Sequence, residues 1–139
     1  MTRFALLILL ALVAASARVH VQSSSIDPSG AYRCDGVSPD GQKYRAAVHI
    51  VKNGETYIVQ WLTPRGVASI GVGVVNGNTF SVGYVGTTAG VVVYTLKDNK
   101  ELSGEWTDLE ASGQIFKETL TKLAEGEKIV MPRGGGPVF

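Results

Sequence analysis

The residue types that do covalent or metal chemistry are scarce in this chain, which holds one cysteine, Cys34, and two histidines, His20 and His49. A serine, threonine or cysteine nucleophile needs a neighbouring base, and these two imidazoles are the only ones on offer. His20 lies in a polar stretch ahead of the patterned region. His49 falls between Ala47 and Val51 on the face of an alternating segment that looks to solvent. Two separated histidines and one cysteine make no tetrahedral zinc set, and the acidic residues show no calcium-loop spacing. The run Gly71-Val72-Gly73-Val74-Val75-Asn76 has Asn where a dinucleotide-binding motif needs its third glycine, and a strand pattern follows it instead of a helix. Its glycines suit a strand that bends or that a neighbour approaches closely. No catalytic residue, metal site or cofactor is expected, and the chain is expected not to be an enzyme.

The polar residue that stands out is Glu118, set between Phe116 and Leu120 in an alternating segment. On an inward register its carboxyl group is costly unless paired or hydrogen-bonded. Two roles follow: a barrel-mouth residue bonded to tyrosines or turn amides, or a group that contacts a ligand. Five tyrosines and two tryptophans accompany it. Each buried tyrosine hydroxyl needs a partner, because an unpaired one costs about 1–3 kcal/mol.

What must position these groups is a series of short alternating segments. Turn signals at Pro39-Asp40-Gly41, Asn53-Gly54, Pro64-Arg65-Gly66, Asn76-Gly77, Gly86 to Gly90, Lys97 to Asn99 and Glu110 to Gly113 separate them. The strands expected are Ala31 to Asp35, Tyr44 to Val51, Thr56 to Leu62, Val67 to Val75, Thr79 to Val85, Val91 to Leu96, Glu101 to Thr107 and Gln114 to Leu123. Eight antiparallel strands in sequence hide both edges only by closing, so the fold class expected is all-β, a single eight-stranded up-and-down barrel. In the seventh strand Glu101, Ser103, Glu105 and Thr107 alternate with Leu102, Gly104 and Trp106, which must face inward. The same alternation places Tyr44, Ala46, Val48 and Ile50 inside, with Tyr57, Val59 and Trp61, then Val72 and Val74, then Phe80, Val82 and Tyr84, then Val92, Tyr94 and Leu96. Tyr32, Cys34, Phe116, Glu118 and Leu120 join them. Cys34 is then a small buried hydrophobe or the site of an intermolecular bridge. Glu101, Glu105, Asp108 and Glu110 form a solvated edge.

A barrel of eight strands is filled by its own side chains or admits one small ligand. The ligand-binding candidates are Tyr44, Tyr57, Trp61, Tyr84, Tyr94, Trp106 and Glu118, and the expected ligand is small and apolar or aromatic. The alternative is a protein-interaction or adhesion module acting through the outer surface at Ile58, Leu62, Val91 and Val93, with a protein partner or a second copy as its target.

The stretches GAYRCDGVSPDGQKY, VHI, YIVQW, VNGNTFSVGY, GVVVY, LSGEWT and ETLTKL together resemble a group of small exported bacterial proteins of uncharacterised function, sometimes labelled fibronectin-binding. The resemblance spans Gly30 to about Leu123 and departs at Lys97-Asp98-Asn99 and Gln114-Ile115-Phe116. More distantly the chain is similar to lipocalin and avidin-like barrels, whose first strand opens on Gly-x-Trp and whose last strand packs a basic residue against it. Gly30-Ala31-Tyr32 and Lys117 or Lys122 stand at those places, and the likeness implies binding instead of catalysis.

The first residues carry Arg3, an apolar run from Phe4 to Ala15 and an Ala15-Ser16-Ala17 cleavage pattern, which reads as a secretory signal peptide over 1–17. The run is too short for a membrane-spanning helix of about 20 residues. The division expected is signal peptide 1–17, a flexible segment 18–29, the barrel 30–123 and a flexible tail 124–139. Beyond residue 17 the chain has 12 basic and 12 acidic residues, since Arg3 alone of the 13 and 12 lies in the leader. A balanced surface gives no footprint for nucleic acid, and none for a membrane anchor once the leader is cleaved. The protein is thus expected to be secreted or periplasmic. The intact mass of protein recovered from periplasm or medium should match a chain beginning at Arg18; recovery of full-length, membrane-bound protein alone would refute cleavage.

Overall fold

A computed structural model describes residues 26–129. The expected signal peptide lies outside those residues. Eight strands follow one another, β1 (Gly30–Val37), β2 (Lys43–Asn53), β3 (Thr56–Thr63), β4 (Gly66–Asn76), β5 (Thr79–Val85), β6 (Ala89–Leu96), β7 (Glu101–Asp108) and β8 (Phe116–Lys122). They pair antiparallel in sequence order, and β8 returns to β1 to close the barrel. Closure leaves no strand edge unpaired. Two of the hairpins turn on a glycine at the first loop position, Gly54 with φ 62° and Gly77 with φ 61°, the conformation that a type II′ turn requires there. The last strand starts later than its sequence pattern suggests, because residues 109–115 form a loop held by Thr107 Oγ1 donating to Gln114 O at 2.7 Å.

Alternation sets the core. Val48, Ile50, Val59, Val82, Val92, Leu102 and Leu120 are buried, along with the larger side chains Tyr32, Phe80 and Tyr94. Phe116 and Tyr84 are only partly buried. His49 is exposed.

The fourth strand departs from expectation. Val72 and Val74 are 54% and 50% exposed, while Ser69, Gly71 and Gly73 face the core. Alternation carried forward from β3 through the Pro64-Arg65 turn would pair Trp61 with Ala68 and turn Val72 inward. Instead the register shifts between Trp61 and Leu62, so that Trp61 opposes Ser69 and Leu62 opposes Val67. Ala68 is the extra residue of a β-bulge. A one-residue slip reverses the facing of the whole strand. The next hairpin demands this reversal, because its two-residue loop pairs Val75 with Phe80 and Gly73 with Val82. The β5 side chains then fill the space that β4 leaves empty. A Cβ on Gly71 would lie 2.8 Å from Val82 Cγ1, and one on Gly73 would overlap the Phe80 ring.

The turns after β1, β3, β5 and β7 make one rim of the barrel, here the upper. Those after β2, β4 and β6, together with both ends of the described chain, make the lower rim. At the lower rim residues 26–29 lie against the barrel: Pro28 is buried, and Tyr32 Oη donates to its carbonyl at 2.7 Å. Lys122, not Lys117, supplies the basic partner of the first strand. Its Nζ sits 5.8 Å from the Tyr32 ring centroid and donates to Ser29 O at 2.9 Å.

Glycine-to-alanine substitutions on adjacent strands test this register. Gly83 points outward with open space around its Cβ position, so Gly83→Ala should stabilise by about 0.4–1 kcal/mol. Gly73→Ala should destabilise by about 1–3 kcal/mol through overlap with Phe80. Urea unfolding measures both, and equal effects would mean that the facing of β4 is wrong.

Candidate functional site

Five strands each place one residue in a single cross-strand row. Tyr44 on β2 opposes Gly36 on β1, Gly36 opposes Glu118 on β8, Glu118 opposes Gly104 on β7, and Gly104 opposes Tyr94 on β6. The row therefore reads Tyr, Gly, Glu, Gly, Tyr around the wall. Because neither glycine has a side chain, each tyrosine can lie across its neighbouring strand and reach the carboxyl group. A Cβ on Gly104 would stand 2.6 Å from Tyr94 Cε1, and one on Gly36 would overlap the Tyr44 ring.

Tyr44 Oη donates to Glu118 Oε2 at 2.6 Å, Tyr94 Oη donates to Oε1, and Cys34 Sγ donates to Oε2 at 3.3 Å. Glu118 is 6% exposed, and these three donors compensate its removal from water. Burial, then the adjacent Glu118, pushes the Tyr44 and Tyr94 hydroxyls far above the usual phenol range. The same causes in the same order hold Cys34 as a thiol. A buried thiol of this kind is a weak donor and not a nucleophile. At the lower rim, burial and then Asp27 push Tyr32 up to about 12.

Above the row lies a cavity of ≈ 30 Å³ lined by Tyr44, Trp61, Ser69, Tyr84, Val92, Trp106 and Glu118. That volume takes about two water molecules. Its walls are almost wholly apolar. Trp61 and Tyr84 tilt against each other with centroids 5.4 Å apart, and Trp106 meets Tyr44 edge-on at 6.5 Å and Phe116 at 5.0 Å. The Trp106 indole Nε1–H is buried and has no hydrogen-bond partner among the described residues. Tyr84 is the most loosely held of the lining aromatics. It is half-buried, and its hydroxyl stands 3.5 Å from Thr107 O, at the outer limit of a hydrogen bond.

The structure thus brings five of the sequence candidates, Tyr44, Trp61, Tyr84, Trp106 and Glu118, around one cavity. Tyr94 lies beneath it as a donor to Glu118. Tyr57 is elsewhere: it packs edge-on against Phe80 at 5.4 Å in the lower half, where Phe80 in turn stacks on Tyr94 at 6.0 Å. Sequence reasoning overlooked Ser69, which faces inward only because of the bulge, and the pairing of Cys34 with Glu118, which depends on closure of β8 onto β1. No cluster of metal-ligating side chains occurs among the described residues.

No protein-family profile matches the chain, and no curated protein matches it. Solved structures do. A redesigned β-barrel is 15% identical, with a TM-score of 0.60 over 70% of this chain and 92% of its own. The redesigned barrel mFAP1, solved bound to DFHBI, is 15% identical with a TM-score of 0.55, covering 68% of this chain and 94% of its own. EF1p2_mFAP2b, also bound to DFHBI, is 14% identical with a TM-score of 0.53, covering 69% and 94%. At these identities the likeness is one of fold, a closed eight-stranded antiparallel barrel.

The raised tyrosine hydroxyls carry a pH dependence with a definite sign. A group whose pKa is raised on folding contributes stability that is complete below its unfolded value, near 10 for tyrosine, and is lost as pH climbs toward the folded one. The urea midpoint should therefore fall above about pH 10, and tyrosinate absorbance from Tyr44 and Tyr94 should appear only as the near-ultraviolet circular dichroism disappears. Ionisation of all five tyrosines near pH 10 in a protein that is still folded would contradict the buried network.

Proposed function

We propose that this chain is an exported binding protein without catalytic turnover, and that it takes up a small aromatic or apolar molecule at the upper end of the barrel. The observation that carries the reading is the Trp106 indole N–H, a buried donor beside a cavity and without a partner among the described residues. Leaving such a donor unpaired costs about 1–3 kcal/mol. A flat ligand that rests on Trp61 and Trp106 and offers one acceptor atom to Nε1–H recovers that cost.

The cavity is small for such a guest, since ligand sites usually measure about 300–1,000 Å³. Entry must displace a side chain, and Tyr84, with its long and weak hydroxyl contact, is the one that yields most readily. Ser69 on β4 and Glu118 on β8 line the cavity from opposite walls of the barrel. The mFAP1 and EF1p2_mFAP2b barrels, each solved with DFHBI bound, support the view that a barrel of this size can hold a small dye.

Calorimetric titration of the purified chain with heteroaromatic compounds that bear a hydrogen-bond acceptor tests the reading. A saturable heat should appear, and Trp106→Phe, which keeps an aromatic face though a smaller one and removes the donor, should weaken binding about fivefold or more. Absence of saturable binding across the panel, or equal affinity in the Trp106→Phe variant, would reject it.

A further inference from the structure

We propose that the molecule taken up at the upper end of the barrel is an organic monocation, an aromatic ring bearing a protonated nitrogen group, whose charge is met by Glu118. The inference rests on the reading of the cavity as a binding site and adds to it the charge of the guest.

The first observation is a buried charge without a counter-charge. Tyr44, Tyr94 and Cys34 occupy the Glu118 oxygens. All three are neutral donors, because burial and then Glu118 itself hold the two hydroxyls and the thiol protonated. Hydrogen bonds of this kind satisfy the oxygens and leave the network with one negative charge. The ion pairs among the described residues join Arg33 and Arg45 to Asp35 and Lys97 to Glu101, and none reaches Glu118. Lys43 and Lys117, which precede Tyr44 and Glu118 in the chain, are exposed on the outer wall. Buried charges in proteins are ordinarily paired; this one is not.

The second observation is what surrounds that charge. A carboxylate offers about four acceptor positions. Oε2 accepts from Tyr44 and Cys34, and Oε1 from Tyr94 alone, which leaves one position on Oε1. Glu118 lines the cavity together with the rings of Tyr44, Trp61, Tyr84 and Trp106. An aromatic ring attracts a cation over its face, and enclosures of several rings are a recurrent way of holding organic ammonium groups. At the point of entry the field has the same sign. The Tyr84 hydroxyl is pushed up by burial, then by the carboxylates of Asp108 and Glu118, and it stands 3.5 Å from the Thr107 carbonyl. The ring that must move aside is thus surrounded by groups that favour positive charge. A neutral guest would leave Glu118 unpaired, and an anion would be repelled by it. The free Trp106 Nε1–H asks for an acceptor on the same guest, so the ligand has a ring acceptor at one edge and its cationic group at another.

Three pyridines of one shape and different charge test the proposal: the 3-carboxamidinium, the 3-carboxamide and the 3-carboxylate, each with its ring nitrogen free to accept from Trp106. In calorimetric titration of the purified chain at neutral pH, the amidinium should bind at least about tenfold more tightly than the amide, and the carboxylate more weakly than either. The net charge of the whole chain is +1, so general attraction cannot produce that order. In Glu118→Gln, with near-ultraviolet circular dichroism unchanged, the advantage of the amidinium over the amide should shrink to about threefold or less. The wild-type series decides by itself should that variant not fold. Binding of the amide as tight as that of the amidinium overturns the cationic guest and leaves the binding site standing. An undiminished advantage in folded Glu118→Gln overturns the part given to the carboxylate. Failure of all three to bind also overturns the proposal, and the heteroaromatic panel then shows whether the site itself falls with it.

Discussion

A carboxyl group inside an apolar barrel persists only when its oxygens are occupied, and the way Glu118 meets that condition organises the interior. Its donors arrive from β1, β2 and β6. Strand β8 pairs through its backbone with β1 and β7 alone, so the side-chain network joins it to two strands that the ladders never reach. The hydrogen bonds work because glycine stands on either side of Glu118 in the row. Each glycine gives up packing volume, and a tyrosine ring from the next strand takes it. Closure of the barrel and satisfaction of the buried carboxyl group are thus one geometric arrangement.

Volume exchange between glycines and aromatic rings recurs on the opposite wall, where Phe80 and Val82 lie over Gly73 and Gly71. Its effects differ along the barrel axis. In the lower half Tyr57, Phe80 and Tyr94 interlock and Tyr32 is tied to residues 26–29. In the upper half the rings of Trp61, Tyr84 and Trp106 meet imperfectly over the Glu118 row, and the small cavity remains. One end is built for rigidity; the other keeps an unsatisfied donor and a loosely held ring. Regions with few firm contacts are the ones that open at low free-energy cost.

Much of this was legible in the sequence, because alternation in β2, β3, β5, β6 and β7 states plainly which side chains face in. The facing of β4 was not, since forward counting from Trp61 and backward counting from Phe80 through the two-residue Gly77-Asn78 loop give opposite answers. That conflict is itself the signature of a bulge. Lys122 and Lys117 can also be separated by parity, as Lys117 shares the outward face with its partner Glu105 while Lys122 opposes Tyr32. The Tyr-Gly-Glu-Gly-Tyr row was out of reach, because it needs the register of the closing β1 and β8 pair, which no local turn specifies. The orphaned indole of Trp106 is likewise a property of packed rings and not of any residue pattern.

An even number of strands returns the chain to the rim where it began. Leu123 N donates to Ala31 O at 2.9 Å, so the entrance to β1 and the exit from β8 are neighbours, on the rim opposite the cavity. The chain can therefore be held by either end, on a bead, a surface or a fused partner, with the aromatic mouth facing away from the tether. By the same geometry, joining residues near 30 and 123 with a short linker and opening the barrel in the 109–115 loop would give a circularly permuted chain that keeps seven of the eight strand pairings as consecutive hairpins or their equivalent. The ordering of strands in the polypeptide is thus less constrained than their arrangement in space.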